Sequence, residues 1–320
     1  GTTRTGTKSG DGGDGILEIV TYALVDDSLF QFRVTTAGGV EQSVKFATAS
    51  GAPVSIDWGD GTVETVASDA TATHTYAGAH DVLVTVSSES ALTEMTLTNC
   101  EASFSLSDVP RSLSYLSLFG NAMTVSGALS DVPSGVTYLS LIGDSMTVSG
   151  ALSDVPSGVT YLRLSGDSMT VSGALSDVPS GVTYLSLIGS AMTVSGALSD
   201  VPSGVTYLRL IGNAMTVSGA LSDVPSGVTY LRLSGDSMTV SVPTSTWPLA
   251  EEEFRYLLLD TDGLTQTEVD NVLIGAATVT SWADAKEVDL SGDNNAAPSA
   301  TGLAAKATIE SNGATVLVNS

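Results

Sequence analysis

VTYLRLSGDSMTVSGALSDVPSG, Val159 to Gly181, is one unit of a pattern that recurs through the middle of the chain. Its LSDVP segment returns at Leu106, Leu129, Leu152, Leu175, Leu198 and Leu221, a spacing of 23 residues each time. A fixed period of this length denotes a solenoid, in which each unit buries its apolar positions by stacking on its neighbours. Strand alternation then sends Leu162 and Leu164 inward and Tyr161 and Arg163 outward together. In the MTVS segment the same rule turns Met146 and Val148 in and Thr147 and Ser149 out.

Composition narrows the partners. The 320 residues carry 35 Asp and Glu against 11 Lys and Arg, a formal net charge of -24. That charge opposes binding to nucleic acid or anionic lipid, which rests on many Lys and Arg contacts. No apolar run reaches the roughly 18 residues of a membrane-spanning helix, so the chain reads as soluble and globular, long enough for about two domains. Cys100 is the single cysteine, which excludes an intrachain disulfide. Residues 1–15, GTTRTGTKSGDGGDG, lack the charged start and apolar middle of a signal peptide and read as a Gly-rich linker following another segment.

From residue 16 to about 90 the pattern has period two. LFQFRV (Leu29 to Val34) and DVLVTV (Asp81 to Val86) alternate, with TTAGG, ASGAP and GDG between runs, which predicts a β-sandwich without helices. VSIDWGDGT (Val54 to Thr62) followed by HTYAGAHDVLVTV (His74 to Val86) resembles the polycystic kidney disease (PKD) domain, an immunoglobulin-like sandwich. The repeats carry a second resemblance. Val136, Leu139, Leu141 and Asp144, or Val205, Leu208, Leu210 and Asn213, fit the LxxLxLxxN/C signature of leucine-rich-repeat (LRR) proteins, with Asp or Ser often replacing Asn. Degenerate copies at LTEMTLTNC, FRYLLLDTD and AKEVDLSGD extend the array over residues 91–320. The two resemblances imply a mostly β, two-domain protein: an Ig/PKD-like sandwich over 16–90, then an LRR solenoid with a parallel sheet and a C-terminal α/β cap from about residue 250. In that cap, Thr265 and Glu268 form a capping box that opens a helix through about Ile274. Pro298, at a first helical position, and Gly313 frame a second helix, ATGLAAKATIES, before a closing strand ATVLVN.

Chemistry is sparse. His74 and His80 are the only histidines and both fall in the sandwich, where a structural role is expected. Cys100, at a ladder position of an LRR, is expected to be an inert buried thiol. There is no phosphate-binding glycine loop, so the chain reads as non-enzymatic and without a cofactor. GDGGDG (Gly10 to Gly15) and DTDG (Asp260 to Gly263) are incomplete calcium loops. Asp108, Asp131, Asp154, Asp177, Asp200 and Asp223 would stack about 5 Å apart, either capping turns or sharing calcium ions.

Two outward faces remain. Tyr115, Tyr138, Tyr161, Tyr184, Tyr207, Tyr230 and Tyr256 form one column on the parallel sheet, beside Ser117, Ser140, Arg163, Ser186, Arg209, Arg232 and Leu258. Phe119, Ile142, Ser165, Ile188, Ile211 and Ser234 make a third column. The repeats differ chiefly at these outward positions, and Tyr and Arg are favoured at recognition sites, with rings that could also stack on a sugar. The candidate ligand-binding residues are therefore Tyr138, Tyr161, Arg163, Tyr184, Tyr207, Arg209, Tyr230 and Arg232. The other face, Thr147/Ser149 and its copies, resembles ice-binding solenoids in outline only. Sandwich plus LRR array, with an NNAAPSATGL segment (Asn294 to Leu303), resembles phage structural proteins and bacterial surface proteins. The resemblance implies a phage fibre or virion-surface protein that binds a host-surface glycan or protein and joins other structural proteins through its N-terminal region. A bacterial adhesin is the near alternative, an ice-binding or spacer solenoid the distant ones.

Overall fold

The computed structural model describes residues 26–245, 255–279, 282 and 286–320. The expected linker 1–15 and its GDGGDG loop lie outside the described residues. The N-terminal part consists of strands β1 (Leu29–Thr36), β2 (Glu41–Thr48), β3 (Val54–Asp57), β4 (Val63–Val66), β5 (Thr71–Thr75), β6 (His80–Ser88), β7 (Leu92–Thr98) and β8 (Ala102–Ser105). Each 23-residue unit then contributes two strands. The YLxLx strands are β9 (Tyr115–Phe119), β11 (Tyr138–Ile142), β13 (Tyr161–Ser165), β15 (Tyr184–Ile188), β17 (Tyr207–Ile211) and β19 (Tyr230–Ser234). The TVSGA strands are β10 (Thr124–Ala128), β12 (Thr147–Ala151), β14 (Thr170–Ala174), β16 (Thr193–Ala197), β18 (Thr216–Ala220) and the shorter β20 (Thr239–Ser241). The tail runs β21 (Tyr256–Asp260), α1 (Gln266–Ala276), β22 (Glu287–Leu290), α2 (Ala300–Ser311) and β23 (Thr315–Val318).

These strands build a mostly β molecule whose repeated part is a two-sheet β solenoid. One sheet holds β23-β22-β21-β19-β17-β15-β13-β11-β9-β7-β2-β5, the other β20-β18-β16-β14-β12-β10-β8-β1-β6-β3-β4. Both sheets therefore run unbroken from the repeats, parallel, into the N-terminal sandwich, antiparallel. A single apolar core fills the space between them, from Phe30 to Val316. In one unit Val159, Leu162, Leu164, Met169, Val171 and Leu175 are all 0% exposed, so every inward position of the 23-residue pattern is used.

Local polar groups are settled within and between units. Each LSD segment is one turn of 3-10 helix, and its aspartate accepts the backbone N–H three residues earlier: Ala151 N to Asp154 Oδ2 is 2.9 Å, Ala174 N to Asp177 Oδ2 3.0 Å. The aspartate column thus caps turns, as local hydrogen bonding favours for such residues. A ladder of threonines links the units: Thr160 Oγ1 donates to Thr137 O, Thr183 to Thr160 O and Thr206 to Thr183 O, each at 3.3 Å. The Asn/Asp/Ser position of the LxxLxLxxN pattern forms no such ladder, its one inter-unit bond among the described residues running from Ser190 Oγ to Asp167 Oδ1 at 3.4 Å. Asn121, Asp144, Asp167, Asn213 and Asp236 are exposed.

At the C-terminal end Thr265 caps α1 and Glu268 closes the box, as the TxxE spacing predicts. Pro298 differs from expectation: it precedes the N-cap instead of opening the helix. Ser299 is the cap because its hydroxyl accepts from Thr301 N and Gly302 N, while Asp270 of α1 receives its N–H at 2.9 Å.

Cys100 is fully buried, its Sγ 3.2 Å from the carbonyl of Ser43, and burial pushes the thiol up to about 11. A thiol held neutral and covered is unreactive. Ellman's reagent is expected to leave Cys100 unmodified in the native protein and to label it completely in denaturant; full labelling of the folded protein would contradict this placement.

Candidate ligand-binding face

The outer surface of the YLxLx sheet carries all eight candidate residues. Strands β11 to β19 pair with equivalent residues opposite one another, Tyr138 with Tyr161, Tyr161 with Tyr184, Tyr184 with Tyr207, Tyr207 with Tyr230. Leu139, Leu162, Leu185, Leu208 and Leu231 are buried, so alternation fixes the residues on either side of them outward.

The tyrosines form a continuous stack. From Tyr115 to Tyr230 successive ring centroids lie 4.1–4.2 Å apart and nearly parallel, and Tyr256 extends the stack at 4.7 Å. Each contact of this kind contributes about 0.5–1.5 kcal/mol beyond area burial. Both faces of every inner ring are therefore occupied by neighbouring tyrosines, so these rings cannot stack on a sugar as expected. What a ligand meets is a row of ring edges and phenol hydroxyls.

Burial, with the hydroxyls of the neighbouring tyrosines, holds Tyr138 and Tyr184 well above the ordinary phenol range. Tyr230 is pushed up to about 12, by burial first and Tyr207 next, while the Arg209 cation pulls the other way. Burial also raises Tyr256, with Arg232 opposing it. Each of these two arginines thus sits beside the tyrosine of the following strand.

The adjacent column runs Ser117, Ser140, Arg163, Ser186, Arg209, Arg232 and Leu258, each residue opposite the next. The serines sink among the longer side chains: Ser140 is 4% exposed and Ser186 0%. Among the described residues Arg163, Arg209 and Arg232 form no salt bridge, whereas Arg33 pairs with Asp81, Lys45 with Asp69 and Lys306 with Glu310. The Nε atoms of all three arginines, and Ser186 Oγ between the first two, are buried without a hydrogen-bond partner. A buried donor left unpaired costs about 1–3 kcal/mol. Arg209 and Arg232 also lie directly opposite one another, an arrangement that like charges disfavour. Ser186 lies between Arg163 and Arg209 in this column and is itself closed to solvent. The third column borders this strip, with Phe119 45% exposed and Ile142, Ile188 and Ile211 half-buried.

On the second sheet Thr147, Thr170, Thr193 and Thr216 are exposed, but they do not stack on one another. The strands slide by two residues per unit, so Thr147 faces Ser126, Thr170 faces Ser149 and Thr193 faces Ser172.

The histidines sit in structural surroundings. His74 Nε2 is 2.9 Å from Asp60 Oδ2, its ring stacks on Trp58 at 5.0 Å and meets Tyr76 edge-on at 4.5 Å. Tyr76 donates to the carbonyl of Trp58, and Trp58 Nε1 to Glu64. Burial works to raise the Asp60 carboxyl, but hydrogen bonds from Thr62 and His74 outweigh it and hold the group below its usual range. The residues of WGDGT and HTY are thereby joined in one packed cluster. No group of three or more metal-ligating side chains occurs among the described residues; in DTDG, Asp260 accepts from Ser234 Oγ. No helix among them is long and apolar enough to cross a membrane. Compared with known proteins, the chain matches no family model and no curated protein sequence.

Proposed function

We propose that the protein is a non-enzymatic recognition protein, a PKD-like sandwich followed by an LRR solenoid, of the kind found in phage fibres and on virion surfaces. It binds a host-surface glycan or protein through the Tyr/Arg face, and its N-terminal region, outside the described residues, joins it to other structural proteins. One observation carries the reading: three arginines without a carboxylate partner line up beside a row of phenol hydroxyls, in a chain of net charge -24. Folding alone gives no reason to leave those cations unpaired when acidic residues outnumber basic ones threefold. The same face would serve a cell-surface adhesin. Ice binding draws less support, because the two-residue slide mixes serine and threonine along each row of the second sheet.

The chain itself supplies the test. Serine occupies the arginine position in neighbouring units, at Ser140 and Ser186, so Arg163→Ser, Arg209→Ser and Arg232→Ser should leave the fold intact. The triple variant is expected to bind host cells at least tenfold more weakly than the parent, with an unchanged melting temperature. Thr147→Lys with Thr170→Lys, on the other sheet, should bind as the parent does. Undiminished cell binding by the triple serine variant would remove the basis for assigning recognition to this face.

A further inference from the structure

Resting on that reading, we propose that Arg163, Arg209 and Arg232 form an anion-binding strip for the carboxylates of an acidic oligosaccharide. The side chains specify the charge of the ligand. Arginine has donors and no acceptor, and the three arginine Nε atoms lack partners at buried positions. Arg209 and Arg232 oppose each other across one strand spacing, about 4.8 Å, and a carboxylate between them replaces repulsion with two charge-assisted bonds. Arg163 and Arg209 lie two spacings apart, about 9.6 Å, flanking Ser186, which leaves room for a second anionic group farther along a chain molecule. The planar guanidinium fork matches a planar carboxylate in two-bonded geometry. With a net charge of -24, the protein as a whole repels a dense polyanion, so the fitting ligand carries spaced carboxylates among neutral hydroxyls.

The flanking surface favours a sugar over an acidic peptide. In the YLxLx sheet β9, β11, β13, β15, β17, β19, β21 and β22 are each paired on both sides, so a peptide finds no free strand edge among them to extend on this face. The tyrosine stack, its ring faces closed, offers phenol hydroxyls that complement the hydroxyls of a glycan.

Calorimetric titration of the full chain at low ionic strength distinguishes the possibilities. The probes are hexagalacturonate, its fully methyl-esterified form, a sulfated dextran oligomer and a hexaglutamate peptide. Hexagalacturonate is expected to bind at least tenfold more tightly than its methyl ester, and salt should weaken it. The triple variant Arg163→Ser/Arg209→Ser/Arg232→Ser should lose that preference while keeping its melting temperature. The proposal is overturned if ester and acid bind equally, if the triple variant keeps the preference, if the sulfated or peptide probe binds instead, or if no probe binds. A ligand that ignores charge yet is lost on Tyr184→Ala also overturns it while leaving the face as the recognition surface. Host-cell binding indifferent to every substitution on this face defeats the broader reading as well.

Discussion

Replacing Gly166 by alanine is expected to lower the unfolding free energy by about 3 kcal/mol. A Cβ at this position would lie 2.4 Å from the carbonyl oxygen of Gly143 in the preceding unit and 3.2 Å from its carbon. The obstacle is backbone, so no side-chain rotation relieves it and the two units must move apart. Gly143 and Gly189 are held against the preceding carbonyl in the same way, at 2.5 and 2.7 Å, so the strain cannot be passed along the array. Gly158 provides the control, because the nearest atom to its added Cβ is 3.9 Å away. Gly158→Ala should change stability by less than about 1 kcal/mol. Denaturant midpoints at constant slope measure both. Equal effects at the two positions would show that the units are not packed as closely as this contact requires.

Alkaline pH should unfold the protein more readily than acidic composition alone suggests. Tyr230 and Tyr76 are pushed up to about 12, and Tyr138 and Tyr184 lie above the ordinary phenol range, all chiefly through burial. The folded form keeps these protons when the unfolded chain, with phenols near their ordinary value of 10.0, has released them. The unfolded state therefore binds fewer protons between those values, and stability falls as pH rises through that interval. Below it this contribution is fully present. Melting temperature is expected to be level up to about pH 9 and then to drop steeply, with phenolate absorbance appearing together with loss of circular dichroism. Tyr184→Phe should shift the drop to higher pH, because it removes one proton-releasing group from the stack. Phenolate appearing in the native protein near pH 10, with secondary structure intact, would contradict the closed stack.

Much of the architecture was legible because period and alternation are direct consequences of backbone geometry. The 23-residue spacing fixes which residues are equivalent from unit to unit, and parity along YLRLS fixes that Leu162 and Leu164 turn in while Tyr161 and Arg163 turn out. The cap was readable too, since TxxE places Glu268 within reach of the Thr265 N–H. Relations that depend on how neighbouring units settle against one another were not readable. The tyrosine column could be drawn from the sequence, but its closure into a stack depends on ring tilt. The aspartate column could be drawn as well, yet its hydrogen bonds run within each unit, to backbone three residues earlier.

The two sheets show where this division falls. Sequence periodicity by itself determined that both strands of each unit repeat, which residues of each face the core, and that Arg163, Arg209 and Arg232 share a surface with the tyrosines. Tertiary structure alone decided the registers. In the YLxLx sheet equivalent residues lie opposite one another, so tyrosine stacks on tyrosine and Arg209 meets Arg232. In the TVSGA sheet each unit slides by two residues, so Gly150 meets Val171 and Ser149 meets Thr170. A slide of two preserves the inward and outward alternation, where a slide of one would turn the apolar set to solvent, so the hydrophobic pattern permits either register equally. Contacts between units, including the close packing of Gly150 on Leu129, choose between them.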